Sequence, residues 1–122
     1  MNKEELKLRT KNFALRIIKL ANALPNRTDA LIIKKQIIRS ATSVASNYRS
    51  ACRGRSTNEF LAKLSIIIEE SDETSFWLEI IFETQLIERN LLHSIINEAN
   101  EITAIMVSSR ITASKKNLKS TI

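Results

Sequence analysis

The sequence predicts an all-α protein: a single domain over residues 1–122 that folds as an antiparallel up-down-up-down four-helix bundle. The chain contains one Gly and one Pro, so it offers few places for tight turns. Apolar residues recur at steps of three, four and seven almost throughout, which is the spacing of a buried helix face. Short breaks divide this pattern into four segments, and short connections place consecutive helices side by side in opposite directions.

The first predicted helix covers residues 3–24, and its apolar stripe faces the core. That stripe is formed by Leu6, Phe13, Ile17, Leu20 and Leu24. Pro25 ends the helix because proline cannot continue the hydrogen-bond ladder. Thr28 is placed to cap a second helix over residues 29–53 through its hydroxyl group.

The second predicted helix has an unusually broad apolar face. One row of apolar residues is Ala30, Ile33, Ile37, Ala41, Val44, Tyr48 and Ala51, and a second row beside it is Leu31, Ile38, Ala45 and Cys52. Together the two rows are wider than a simple two-helix seam needs. Gly54 follows, at a position where helices often end in a left-handed residue.

Ser56 and Glu59 form a capping-box pattern that starts the third helix, predicted over residues 57–84. A weak break precedes the fourth helix, predicted over 88–112, and a polar tail is predicted over 113–122. The inward positions of these helices are Phe60, Leu64, Ile67, Leu78 and Ile81, then Leu92, Ile95, Ala99, Ile102, Met106 and Ser109. Ser71 and Thr74 interrupt the third helix's apolar face.

The net charge of +6 is unevenly distributed along the chain. Residues 1–55 hold 13 Lys and Arg against 3 Asp and Glu, whereas residues 56–122 hold 6 against 10. A basic half and an acidic half can attract each other, or they can present opposite charges to different partners. A third interpretation is that both are solvated helix faces.

A basic stripe runs along the second predicted helix at steps of three and four. It comprises Lys35, Arg39, Thr42, Ser46, Arg49 and Arg53, and it contains no acid. One interpretation is a solvated face that pairs with acids of the third helix. The other is phosphate contact, because the guanidinium group offers a planar fork of donors that suits phosphate oxygens.

The phosphate interpretation predicts which residues bind nucleic acid. They are Lys35, Arg39, Arg49, Arg53 and Arg55, with Lys7, Lys11 and Arg16 as a possible extension. Aromatic residues make up only 5% of the chain, so base stacking along single strands is poorly supported. Small residues between the arginines suit close helix packing on the other side.

The sequence predicts no catalytic site, metal site or cofactor. His93 is the only histidine, and a di-iron bundle site needs two. The lone Cys52 lies in an apolar row, so it is predicted to be an inert thiol in a reducing cytoplasm. No apolar run reaches the length of a membrane span, and the N-terminus lacks the apolar core of a signal peptide.

Three segments resemble the four-helix-bundle proteins first noticed as reading frames inside 23S rRNA intervening sequences. They are "IIRSATSVASN", "RSTNEFLAKL" and "EESDETSFWLEII". The first carries an Arg-Ser-x-x-Ser-Val-x-x-Asn pattern from Arg39 to Asn47, and the third carries Glu-x-x-Glu-Thr-x-x-Trp-Leu from Glu70 to Leu78. The resemblance covers about residues 13–112. One departure is Ser50, where many members carry a glutamate.

The resemblance implies a bundle that assembles as a ring-like homopentamer without demonstrated catalysis. A relative, the accessory protein of diversity-generating retroelements, binds nucleic acid and a reverse transcriptase. By analogy, the partners predicted here are RNA rather than DNA and a nucleic-acid enzyme such as a reverse transcriptase. Ser43 and Asn47 are predicted to be structural residues near a subunit contact, and Trp77 a core or subunit-interface anchor.

Two functional hypotheses therefore stand. The first is a non-enzymatic pentamer that binds RNA through the basic stripe. The second is a protein-interaction scaffold that docks a nucleic-acid enzyme or another partner and does not itself bind nucleic acid.

Overall fold

The computed structural model describes residues 1–121, which form four α-helices and one 3₁₀ turn. The helices are α1 (Lys3–Asn22), α2 (Thr28–Cys52), α3 (Thr57–Thr84) and α4 (His93–Thr121), and the 3₁₀ turn is Arg89–Leu91. No strand occurs in this part of the chain. The predicted all-α class with four helices is therefore confirmed.

Helix α4 begins later and ends later than the predicted residues 88–112. In the turn before it, which contains the 3₁₀ turn, the Arg89 side chain donates a hydrogen bond to the Phe82 carbonyl (3.1 Å). The helix continues through most of the predicted tail. There Asn117 donates to the side-chain oxygen of Asn58 at 3.1 Å. Position 122 lies outside the described residues.

The left-handed helix end predicted at Gly54 lies elsewhere. Gly54 has no positive φ, and the residue that has one is Gln85, at φ 56° after α3. A Cβ at Gly54 would sit 3.1 Å from the Ala51 carbonyl oxygen. Glycine therefore suits the end of α2 because it avoids that close contact, and the handedness of the backbone plays no part there.

The capping pattern before α3 forms in a modified way. The Ser56 hydroxyl accepts a hydrogen bond from the Glu59 amide (3.2 Å), as predicted. The Glu59 carboxylate accepts from the amide of Arg55 at 2.6 Å, one residue before the partner that a capping box has. The return bond therefore fixes the α2–α3 loop as well as the helix start.

The core consists mainly of the residues that helical spacing predicted. Each residue of the first apolar row of α2 is buried, as are Leu64, Ile67, Leu78 and Ile81 of α3 and Leu92, Ile95, Ala99, Ile102 and Met106 of α4. The second row of α2 lies at the edge of the core: Leu31 is exposed, and Ile38, Ala45 and Cys52 are half-buried. Apolar surface beyond the needs of the single-chain core therefore remains on α2.

The two polar interruptions of α3 belong to a buried hydroxyl layer. The Thr74 hydroxyl donates to Ser40 of α2 (2.8 Å), and the hydroxyls of Ser71 and Thr103 of α4 lie 2.5 Å apart. Thr10 of α1 donates back to the Leu6 carbonyl at 3.0 Å. No buried side-chain polar atom among the described residues lacks a hydrogen bond. The buried hydroxyl groups therefore avoid the free-energy cost of a polar group that loses water and gains no partner.

Contacts between α2 and α3 pair later residues of one helix with earlier residues of the other. Arg39 of α2 reaches Glu70 and Glu73 of α3, and the later residue Asn47 reaches the earlier residue Lys63. Such reversed pairing occurs between oppositely directed helices. Helix α1 packs on α2 and also meets α4.

Candidate nucleic-acid interface

The basic stripe lies on the outer side of α2. Its buried row faces the core, so residues at the opposite positions of the helix face outward. Lys35, Arg39, Ser46, Arg49 and Arg53 are exposed and Thr42 is half-buried. From Lys35 to Arg53 the stripe extends roughly 27 Å, because each helical residue advances about 1.5 Å.

Arg39 is held by acids of α3. Its guanidinium group donates to the Glu70 carboxylate at 2.8 Å and also contacts Glu73. The hydrogen bonds that Arg39 donates to Glu73 and Glu70 raise the pKa of Arg39. Burial acts to raise the pKa of Glu73, but hydrogen bonds from Arg39 and Trp77 outweigh it and the pKa is lowered. The ion-pair interpretation of the stripe therefore describes Arg39.

The remaining cations have no such partner. Lys35, Arg49, Arg53 and Arg55 form no salt bridge with the part of the chain that the structure describes. All four side chains are exposed. Arg49 and Arg53 are one helical turn apart, roughly 6 Å along the axis. Exposed cations without carboxylate partners are available for an anionic ligand.

Arg53 and Arg55 flank a groove beside the α2–α3 loop, which we call the loop groove. Its volume is about 430 Å³. It is lined by Ser50, Arg53, Gly54, Arg55, Glu59, Ala62, Lys63 and Ile66. Glu59 is the single acid in this lining, and its carboxylate already accepts the Arg55 amide. Lys63, which the sequence patterns did not single out, adds a third cation.

The α1 cations predicted as an extension of the site divide into two groups. Lys7 and Lys11 line a groove of about 310 Å³ between α1 and α2, together with Arg49. Lys7 also forms an ion pair with Glu4 at 2.6 Å. Arg16 points the other way and donates to the Ser94 hydroxyl of α4 at 3.1 Å. The structure therefore brings Lys7 and Lys11, but not Arg16, to the basic stripe.

Ser43 and Asn47 contact each other on the α3 side of α2. The Asn47 amide donates to the Ser43 hydroxyl (2.9 Å) and carbonyl (3.0 Å), and its oxygen accepts from Lys63 at 3.4 Å. Trp77 is half-buried, donates to the Glu73 carboxylate at 3.2 Å and packs edge-on against exposed Phe76. Of these contacts, the hydrogen bond from Lys63 to Asn47 links α2 to α3, and the others lie within one helix.

Comparisons with known proteins place this architecture in a family. The model of the 23S rRNA-intervening sequence protein family matches residues 3–108, from the start of α1 into α4. The chain belongs to that family. The match contains the whole basic stripe and the loop groove.

A solved structure is similar to this family member over most of its length. It is a protein of unknown function of the S23 ribosomal protein family from Bacteroides thetaiotaomicron. The two chains share 35% sequence identity with a TM-score of 0.82, and the alignment covers 90% of this chain and 98% of the other. Comparison with curated proteins gives no match.

A cluster that sequence reasoning missed joins the two ends of this family member's fold. Arg9 of α1 donates to Glu98 of α4 at 3.0 and 2.7 Å and also contacts Glu101. The hydrogen bond to Glu98 is the largest cause of the raised pKa of Arg9, and the bond from Arg9 lowers the pKa of Glu98. Residues about ninety positions apart carry no local spacing signal, so only the fold reveals this pair.

The described residues meet the requirements of neither a metal site nor a membrane span. Within residues 1–121 no group of three or more His, Cys, Asp or Glu side chains is arranged to hold a metal ion. None of the described helices is long and apolar enough to cross a membrane.

Proposed function

We propose that this protein is a non-enzymatic nucleic-acid-binding protein that binds RNA through the exposed cations of α2 and the α2–α3 loop. Lys35, Arg49, Arg53 and Arg55 contact backbone phosphates. Arg39 lies within the stripe and keeps its role between α2 and α3. Lys7 and Lys11 extend the contact surface along α1.

One observation carries the proposal: apart from Arg39, the cations of the basic stripe lack carboxylate partners among the described residues, whereas several other arginines have them. Arg9, Arg27 and Arg39 each form an ion pair with a carboxylate. Arg49, Arg53 and Arg55 are exposed and form none with the described residues. Each phosphate that a cation neutralises releases a counterion, which makes such a surface favourable for nucleic acid.

A different observation supports RNA as the nucleic acid that is bound. The family to which the chain belongs is described by its place in 23S rRNA intervening sequences. The sequence of the stripe carries no known pattern for reading base edges. Recognition of the RNA backbone and its shape is therefore the expected mode. The protein acts in the reducing cytoplasm, in keeping with its single, half-buried cysteine.

Fluorescence anisotropy tests the proposal with labelled duplex RNA, single-stranded RNA and duplex DNA of equal length. We expect affinity for RNA to exceed that for DNA and to fall steeply with salt. Neutralising four phosphates gives a slope of about −3 to −4 for log affinity against log salt. Absence of binding to any of the three at low salt would contradict the proposal.

We also propose that the four helices form an up-down-up-down unit of a ring-like homopentamer. Exposed apolar residues support an assembly: Leu8 and Leu15 lie seven residues apart on α1 and are 58% and 54% exposed. Phe76 of α3 is 49% exposed on another helix. Two different apolar patches on one chain suit a head-to-tail contact, which closes into a ring when the rotation permits.

Sedimentation equilibrium tests the assembly. We expect the wild-type protein to have five times the mass of one chain and Leu15→Glu to lower that mass. Lys19→Glu, an exposed substitution on the same helix, serves as the matched control. A wild-type monomer would contradict the homopentamer.

A second candidate function is a protein-interaction scaffold, and one groove favours it. Between α3 and α4 a groove of about 510 Å³ is lined by Phe76, Phe82 and Ile96, with Asp72 and Glu79 among its acids. An apolar groove with acidic residues suits a basic partner such as a nucleic-acid enzyme, for example a reverse transcriptase. Capture of RNA only when such a protein is present would favour the scaffold over direct binding.

A further inference from the structure

A pocket opens at the end of the bundle where α2 ends and α1 and α3 begin, and we call it the end pocket. Its volume is about 730 Å³, within the range of small-molecule sites. Buried Leu6, Tyr48 and Ala51 line it together with half-buried Phe60 and Ile105. All four helices contribute to this lining, so the bundle itself shapes the end pocket.

Tyr48 supplies an unusual polar group to the end pocket. Its side chain is only 3% exposed, and the Cys52 thiol is close enough to affect its hydroxyl group. A thiol is a weak hydrogen-bonding group. Burial, followed by the effect of that thiol, raises the pKa of Tyr48, so the hydroxyl keeps its proton. Because Tyr48 lines the end pocket, its hydroxyl group is suited to a polar atom of a ligand there.

The charges around the end pocket have one sign. Lys3, Arg55 and Lys116 line it, and no Asp or Glu does. Lys3 also lies 4.8 Å from the centre of the Phe60 ring. Three hydroxyl-bearing residues of α4, Ser108, Ser109 and Thr112, also line it. An aromatic wall, several hydroxyl-bearing residues and a lining that carries Lys and Arg but no Asp or Glu together suit a ligand with a planar polar ring and an anionic group.

The end pocket is adjacent to the loop groove, because Gly54 and Arg55 line both. A strand whose phosphates follow Arg53 and Arg55 is therefore led to the mouth of the end pocket. A nucleotide combines the planar ring, the polar ring edge and the phosphate that this pocket suits. Stacking of a base on an aromatic side chain is favourable, and any of the bases can make this contact.

We propose that the end pocket binds an unpaired nucleotide of the RNA, with the base beside Phe60 and the Tyr48 hydroxyl and the phosphate at Arg55. This inference rests on the proposed function. It adds that the preferred RNA has an unpaired nucleotide, at an end or a bulge, next to the phosphates that the basic stripe contacts.

Cys52 makes occupancy of the end pocket measurable. It is the only cysteine, it is half-buried, and it lines the pocket. The rate at which a thiol reagent modifies it therefore reports how much of the pocket is empty. A nucleoside 5′-monophosphate at ten times its Kd should slow modification about tenfold, because the reagent reaches only the unoccupied fraction. Inorganic phosphate at equal ionic strength should give no such protection.

Three variants test whether the protection of Cys52 comes from binding in the end pocket. Tyr48→Phe removes one hydrogen bond and should weaken protection by the mononucleotide about fivefold. Ser109→Leu fills the end pocket and should abolish protection without altering the basic stripe. Lys19→Gln removes an exposed cation of α1 outside the pocket and should leave protection unchanged. Circular dichroism confirms that each variant is folded before its protection is compared with wild type.

RNA with a short single-stranded overhang and the matched blunt duplex then separate the two proposals. We expect the overhang to bind more tightly and to protect Cys52, and Ser109→Leu to abolish that difference. Equal binding of both RNAs without protection of Cys52 would overturn the end-pocket proposal and leave the proposed function standing. If a mononucleotide protects Cys52 but the protein binds neither RNA, both the basic stripe and the end pocket would be excluded as RNA-binding sites.

Discussion

The arginines of this protein belong to two regions with different surroundings. At the contact of α1 with α4, Arg9 faces Glu98 and Glu101, and its side chain is only 22% exposed. On the outer side of α2, Arg49 and Arg53 face solvent and have no carboxylate partner among the described residues. The same side chain therefore holds two helices together in one region and is available to a ligand in the other.

The comparison teaches that net charge alone does not assign a function. A basic pattern in the sequence contains both kinds of arginine, and only the position of the acids separates them. Arg39 illustrates this, because it lies in the basic stripe by spacing but is bound to Glu70 and Glu73 by the fold.

The largest expected effect comes from reversing two unpaired arginines. Arg49→Glu combined with Arg53→Glu should lower RNA affinity at low salt about 100-fold or more and reduce the salt slope by about two, because two phosphate contacts are lost. Fluorescence anisotropy across a salt series measures both quantities.

The control for this double variant is its thermal stability. Since neither arginine has a partner in the fold, the Tm should stay within about 2 °C of wild type. An unchanged affinity and an unchanged salt slope would show that the two side chains do not contact phosphate.

The next effect is on stability and comes from the paired region. Arg9→Met keeps the apolar stem but leaves Glu98 without its partner, and should lower the free energy of unfolding by about 2 kcal/mol. The Tm should fall by roughly 6–8 °C, measured by circular dichroism. A Tm equal to that of wild type would mean that the α1–α4 cluster contributes nothing to the fold.

Acid should weaken the same cluster. The hydrogen bond from Arg9 lowers the pKa of Glu98 from its ordinary 4.5. The stabilisation is therefore fully present above pH 4.5 and is lost as the pH falls through the lower pKa of the folded protein. In Glu98→Gln the decline of the Tm between pH 5 and pH 2 should be shallower than in wild type. Parallel declines would contradict this account of Glu98.

The smallest effect is expected at Arg39, which combines features of both regions. Its side chain is 47% exposed, so solvent screens its ion pairs. Arg39→Gln should cost about 0.5 kcal/mol of stability and change RNA affinity less than Arg53→Gln does. Chemical denaturation measures the loss of stability, and fluorescence anisotropy on the same samples measures the RNA affinity. A larger loss of affinity at Arg39 than at Arg53 would place the phosphate site further along α2.

Helical spacing alone predicted most of the core, because burial of one face leaves a periodic record in the sequence. The residues Ile37, Leu64 and Ile102 are fully enclosed where that periodicity placed them. The end of α4 was less predictable. Its last residues are polar, and their helical structure accompanies a tertiary contact, Asn117 with Asn58, that no local pattern encodes.

The candidate site was predictable only in part. Spacing placed Arg49 and Arg53 on one outer face of α2, where the structure has them. It could not show that Arg16 turns towards α4 or that Lys63 joins the loop groove, since both depend on how separate helices pack. The end pocket has no sequence signature either, because its lining comes from all four helices.

Two neutral substitutions, Arg9→Gln and Arg53→Gln, test the central claim most directly when Tm and RNA affinity are measured on both. Each removes one guanidinium group and adds no charge. The account predicts that Arg9→Gln lowers the Tm and preserves affinity, whereas Arg53→Gln preserves the Tm and weakens affinity. Arg53→Gln with wild-type affinity, alongside Arg9→Gln with weakened affinity, would contradict the division between fold-holding and ligand-binding arginines.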